Sequence, residues 1–138
     1  MEIIEKDRIF CRHDLRHCID VARITMILGY EEGVSLDKEA VYAAALLHDI
    51  GRASSSRDHH KKSAEMAEEI LRKSGFSYSE TKTIIEVIEN HGNKDIAEEK
   101  SFSGLFYRAD KLSRDCLNCK ASGACYWSED KKNLSLII

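Results

Sequence analysis

The sequence predicts an all-α protein built as a single domain. Apolar residues recur at helical spacing in about five separate segments, and no segment alternates apolar and polar residues as a half-buried strand would. The 138 residues contain no proline, so nothing of that kind interrupts a helix. With 43% apolar and 33% charged residues the composition is that of a soluble, folded chain rather than a disordered one. The length is that of one ordinary domain and suffices to bury a core.

The first helix is expected from about Asp14 to Leu28, with Leu15, Ile19, Ala22 and Met26 on one face and Gly29 as its stop. Asp14 suits a helix start, where a carboxylate complements the dipole. The second begins at Ser35 as N-cap, with Asp37 and Glu39 in its first turn. It runs through Val41-Tyr42-Ala43-Ala44-Ala45-Leu46-Leu47 to His48-Asp49, with Gly51 as its stop. Asp58 is read as a second helix-start carboxylate, and the third helix spans about His59 to Lys73. It turns Ala64, Ala67 and Leu71 inward, and Gly75 closes it.

Ser77 and Glu80 have the spacing of a capping box and announce a fourth helix. Ile84, Val87, Ile88 and His91 keep its period, and Gly92 ends it. The polar stretch 93–101 reads as a loop or a poorly packed helix. A fifth helix carries Phe102, Leu105, Phe106, Ala109 and Leu112. After Arg114 the helical period is lost in a cysteine-containing stretch. Residues 1–115 are therefore assigned to the domain, and 116–138 to an extension packed on it.

A net charge of −3 gives no global attraction to duplex nucleic acid or anionic lipid, so any basic groups that hold phosphate must be local. The start of the chain lacks the apolar core of a signal peptide, and its longest apolar run, Val41 to Leu47, is too short to span a membrane. Five cysteines without a secretory context point to a reducing cytoplasm and to thiol or metal chemistry.

His48 and Asp49 end an apolar helix, where an imidazole and a carboxylate are costly unless something compensates them. His17 lies one turn before Val21 and Ile24, His91 one turn beyond Val87 and Ile88, and Asp110 one turn beyond Phe106. Each of these polar groups is on or beside an inward stripe, so they can converge on one interior point. Imidazole with carboxylate suits borderline divalent ions such as zinc, iron or manganese.

The order H…HD…H…H…D carries a resemblance as well. His17 followed by Val21-Ala22, Leu46-Leu47-His48-Asp49-Ile50-Gly51-Arg52, His59-x-x-x-Ser63-Ala64, His91, and Ala109-Asp110-Lys111-Leu112 together resemble the HD-domain superfamily of metal-dependent phosphohydrolases. The resemblance covers about His13 to Arg114 and implies a helical bundle that hydrolyses phosphate esters or anhydrides, with a nucleotide as the implied small substrate. It implies one or two divalent transition metal ions (Mn, Fe, Zn, Ni or Co). By resemblance, His17, His48, Asp49 and Asp110 hold one ion. His59 and His91 complete a second, with Asp49 bridging. His59, rather than its neighbour His60, has the family's four-residue spacing to Ser63.

Asp49 and Arg52 are the catalytic candidates. Arg52 stands where family members often carry a basic residue, and its planar fork suits phosphate, although a cation at a helix C-terminus is its simpler role. His13, His60, Lys62, Lys111 and Arg114 are further substrate-facing candidates. Two alternatives stay open at this point. Some HD-fold proteins are similar in ligand set yet hold two irons and react with O₂, and others only sense ligands.

The tail adds Cys116-x-x-Cys119 and Cys125, a common beginning of a zinc knuckle. Cys11 lies six residues before His17 and Cys116 six after Asp110. If His17 and Asp110 meet on antiparallel helices, both cysteines lie about 9 Å along the same direction, at 1.5 Å per residue. Cys11, Cys116, Cys119 and Cys125 are thus a candidate structural zinc or iron–sulfur site, with ordinary free thiols as the alternative. Cys18 is read as a small core residue.

Overall fold

Five α-helices and two short 3₁₀ turns form the described part of the chain, residues 14–53 and 59–114 of a computed structural model. The helices are α1 (Leu15–Glu32), α2 (Lys38–Leu47), α3 (His59–Lys73), α4 (Tyr78–Asn90) and α5 (Phe102–Leu112), and no strand occurs among the described residues. The all-α expectation therefore holds.

Asp14 starts α1 as expected, its carboxylate accepting the His17 backbone N–H at 3.0 Å. The helix does not stop at Gly29. Gly29 is buried within it, and a Cβ there would come to 2.6 Å from Leu36 Cδ1. The glycine thus serves a close approach, and the stop is Gly33, at φ 70°, with its N–H turned back to the last turn.

At α2 the N-cap is Asp37 rather than Ser35, and it makes no side-chain cap bond. Gly51 is no left-handed stop either. It is buried in the 3₁₀ turn Ile50–Ala53, where its N–H donates to Ser63 Oγ of α3 at 2.8 Å. That bond fastens the turn after His48-Asp49 to the neighbouring helix.

Helices α3 and α4 follow the pattern read from the residues. Ala64, Ala67 and Leu71 face inward, and Gly75, at φ 90°, lies just past α3. Ser77 and Glu80 form the reciprocal capping box, with bonds of 3.2 and 2.7 Å. Between α4 and α5 the polar stretch contains only the short turn Lys94–Ile96. Ser101 then caps α5 by accepting the Gly104 N–H at 3.2 Å.

The core lies between the five helices. Alanines at 22, 44, 45, 64, 67 and 109 let the helices approach closely, and Leu71, Ile84, Ile88 and Phe106 fill the space between them. Full burial of a side chain as large as Phe106 contributes about 1.5–3 kcal/mol. Helix α1 packs on α5 and α2, α3 on α4 and the 3₁₀ turn, and α2 on α4. Helices α1 and α5 run in opposite directions. His17 at the start of α1 meets Ser113 just past α5, and Glu32 at the other end of α1 takes a bidentate bond from Arg108, at 2.6 and 3.0 Å. No described helix is long and apolar enough to cross a membrane.

Candidate metal centre

Three helix C-termini point at one interior volume. His48 is the C-cap of α2, His91 the C-cap of α4, and Asp110 lies in the last turn of α5. The carbonyl ends of helices carry partial negative charge, so their convergence favours a cation. The N-terminal turn of α1 supplies the fourth wall, with His17.

The ends also explain how the rings are held. The last carbonyls of a helix lack N–H partners within it. His48 Nδ1 lies 2.7 Å from Ala45 O, and His91 Nδ1 lies 2.6 Å from Ile88 O. A carbonyl only accepts, so both rings carry their proton on Nδ1 and present Nε2 inward. The same local geometry recurs because each histidine stands one turn past a buried residue at a helix end.

The inward atoms lie close together. His17 Nε2 is 3.3 Å from His48 Nε2 and 3.2 Å from Asp110 Oδ1, which is 3.4 Å from His48 Nε2. Asp49 Oδ2 lies 3.1 Å from His48 Nε2, and Asp49 Oδ1 lies 3.4 Å from His91 Nε2. His48, Asp49 and His91 are nearly inaccessible to solvent.

Two overlapping sets of donors result. His17, His48 and Asp110 form one, and His48, Asp49 and His91 the other, with the donor atoms of each set within 4.8 Å of one another. Neutral imidazole nitrogens and carboxylate oxygens at these separations are the donor chemistry of a divalent transition metal. The residues therefore fit such an ion.

The electrostatics point the same way. Burial alone would push the His48 pKa down, but hydrogen bonds and charge from Asp110 and Asp49 outweigh it and raise it to about 10. Burial would raise that of Asp110, yet His17 and His48 hold it well below the usual carboxylate range. The two carboxylates thus favour positive charge here, held as a proton on His48 or, once that proton leaves, as a metal ion. Cys18, buried beside it, has its thiol pushed up to about 12 by burial and by the nearby carboxylates, which leaves an inert core residue, as expected.

Around the cluster stand several cations. Arg52 Nε lies 3.1 Å from Asp49 Oδ1. Lys111, expected to face substrate, sets its ammonium 2.7 Å from Asp110 Oδ2 and 3.3 Å from His91 O, over the Tyr107 ring. It thereby grips two of the ligand candidates. Arg114 donates to Lys111 O at 2.7 Å and so dresses the end of α5. Lys62 is exposed, with its ammonium 3.8 Å from Glu65 Oε2.

The His60 ring meets the His91 ring edge-on at a centroid distance of 4.1 Å. Gly92 makes this approach possible, because a Cβ there would come to 2.5 Å from His60 Cε1. His59 opens α3, but its side chain lies outside the described residues, as do His13, Cys11, Asp58, Cys116, Cys119 and Cys125. The residue that sequence reasoning missed is Ser113, whose hydroxyl lies 3.0 Å from His17 Nδ1. Its one signal was a hydroxyl one turn after Asp110.

The comparisons with known proteins agree with this geometry. The family model described as "HD domain" matches residues 14–115. An "Uncharacterized protein" of Clostridium beijerinckii is 40% identical over 135 residues, covering 96% of this chain and 84% of that protein. A protein named Ribonuclease Y from Opitutus terrae is 29% identical over 99 residues, and one from Mycoplasma mycoides subsp. mycoides is 35% identical over 101. Each of these covers 72% of this chain, which spans only 17% and 18% of their lengths. No solved structure matches the chain. By the extent of the family match and the clustering of its histidines and aspartates, the chain belongs to the HD-domain superfamily of metal-dependent phosphohydrolases.

Proposed function

We propose that this chain hydrolyses phosphate esters or anhydrides of small molecules, nucleotides first among them, at the His17–His48–Asp49–Asp110 cluster. The observation that carries the reading is the convergence of three imidazoles and two carboxylates on one buried volume beside Arg52. In this reading His17, His48, Asp49 and Asp110 would hold one divalent ion, and His59, His91 and Asp49 would contribute to a second. When bound, such an ion supplies positive charge against phosphoryl oxygens and makes water acidic enough to act as a nucleophile near neutral pH.

The chain's own groups do the rest. Asp49 orients the reacting water from its buried position, and its pairing with Arg52 fixes the guanidinium at the edge of the cluster. There the planar fork meets phosphoryl oxygens and neutralises charge as it develops. His60, half-buried against His91, lines the approach. Lys111 holds Asp110 by its second oxygen, so that Oδ1 stays turned to the histidines.

The deciding experiment is a screen of phosphate release from nucleoside mono-, di- and triphosphates and from simple phosphate esters, with added Mn²⁺, Fe²⁺, Zn²⁺, Ni²⁺ or Co²⁺, in air and without O₂. Metal-dependent release that is indifferent to O₂ is the expected result. Consumption of O₂ with no phosphate released would make the protein an oxygenase. Likeness to Ribonuclease Y adds a short RNA to the screen, and cleavage of that substrate alone would move the assignment from nucleotides to RNA phosphodiesters.

A further inference from the structure

Ser113 Oγ stands between two ligand candidates from different parts of the chain. It lies 2.7 Å from the backbone carbonyl of Asp110 and 3.0 Å from Nδ1 of His17, across the contact between α5 and α1. A serine hydroxyl has one proton to give. The Asp110 carbonyl only accepts, and it belongs to the last turn of α5, where helix carbonyls lack partners. The hydroxyl proton therefore goes to Asp110 O. What remains toward His17 is a lone pair, so His17 Nδ1 must be the donor.

The consequence falls on the far side of the ring. With its proton on Nδ1, His17 turns Nε2, the atom that would meet an ion, toward His48 Nε2 and Asp110 Oδ1, at 3.3 and 3.2 Å. His48 and His91 are held through carbonyls of their own helices, whereas the contact at His17 Nδ1 comes from the hydroxyl of a residue just past another helix. Ser113 thus offers His17 Nδ1 an acceptor from across the α1–α5 contact. The opposite tautomer would give its proton to Asp110 Oδ1 and leave Nε2 no electron pair for an ion.

We propose that Ser113 is a positioning residue that sets the tautomer and orientation of His17 for metal binding and locks His17 to the backbone of Asp110. The inference rests on the metal reading given above and goes beyond it by assigning a role to a residue outside the ligand set. Partners of metal-bound histidines act through ligand orientation, and losing one typically weakens metal binding by about 10- to 100-fold.

The test compares wild type, Ser113→Ala and Ser113→Thr by titration with Mn²⁺ or Co²⁺, and by nitrogen-15 NMR of the His17 ring in the metal-free protein. Ser113→Ala is expected to lose about 10- to 100-fold in affinity and its preference for the Nδ1–H tautomer, with circular dichroism and thermal unfolding near those of wild type. Ser113→Thr, which keeps the hydroxyl, restores both. Wild-type affinity and tautomer in Ser113→Ala would overturn the proposal, and so would a Ser113→Thr variant as impaired as Ser113→Ala. Should the wild type bind no ion, the metal reading fails, and the ring spectrum alone still decides whether Ser113 sets the tautomer. If Ser113→Ala does not fold, the His17 tautomer in wild type and Ser113→Thr decides, with an Nε2–H ring overturning the assignment.

Discussion

His17 Nε2 and His48 Nε2 lie 3.3 Å apart, although the two residues start from opposite ends of different helices. Two imidazole nitrogens facing each other with both lone pairs inward repel unless a proton or a metal ion stands between or beside them. Asp110 Oδ1 touches both, which sharpens the requirement. The arrangement suits a cation, whether a shared proton or a metal ion.

Arg52 is expected to matter to turnover more than to folding. Arg52→Ala should lower kcat/KM by at least about tenfold, or about 1.4 kcal/mol of transition-state stabilisation, with little change in thermal unfolding. Arg52→Lys should recover part of the loss, since charge is kept and the planar fork is not. Steady-state kinetics on the three proteins checks this, and an unchanged rate in Arg52→Ala would reduce the residue to a cation at the end of a helix.

His59 and His60 separate by metal stoichiometry. His59→Ala should lower the content from about two ions to about one, as for loss of a direct ligand, while His60→Ala should leave it unchanged. The reverse pattern would give the second ion to His60, whose ring packs on His91. A wild-type content of one ion at saturating metal would move both to substrate binding.

Much of this was legible in the sequence, and the failures share one cause. Helices α3, α4 and α5 matched their periodicity because local signals, the Ser77–Glu80 box and Gly75 among them, agree with the packing. Gly29 and Gly51 were misread as stops because their reasons are tertiary. One makes room for Leu36, and the other hands its N–H to Ser63. Ser113 stayed hidden for the same reason, its partner His17 being 96 residues away in sequence. The convergence of the histidines and aspartates was visible because each sits one turn from a buried stripe. Lys111 was not, since nothing local says that a lysine will turn back onto Asp110.

The Glu32–Arg108 pair predicts a pH dependence. A hydrogen bond from Arg108 holds the Glu32 carboxyl below its ordinary 4.5. A depressed carboxylate pKa stabilises the fold above the unfolded-state pKa, and that contribution is lost as pH falls through the folded value. The stability gap between wild type and Arg108→Met should therefore be present at neutral pH and shrink progressively below about 4.5. Chemical denaturation across that range checks it. A gap independent of pH would mean that Arg108 contributes by packing alone.

The central claim is that Asp49 belongs to a metal site on which hydrolysis depends. Elemental analysis of protein purified without chelators, wild type beside Asp49→Ala, tests it most directly, with phosphate release measured on the same samples. The wild type should carry about one or two equivalents of a divalent transition metal, and Asp49→Ala should lose the tightly bound metal together with all hydrolysis. An Asp49→Ala protein that keeps the full metal complement would contradict the assignment.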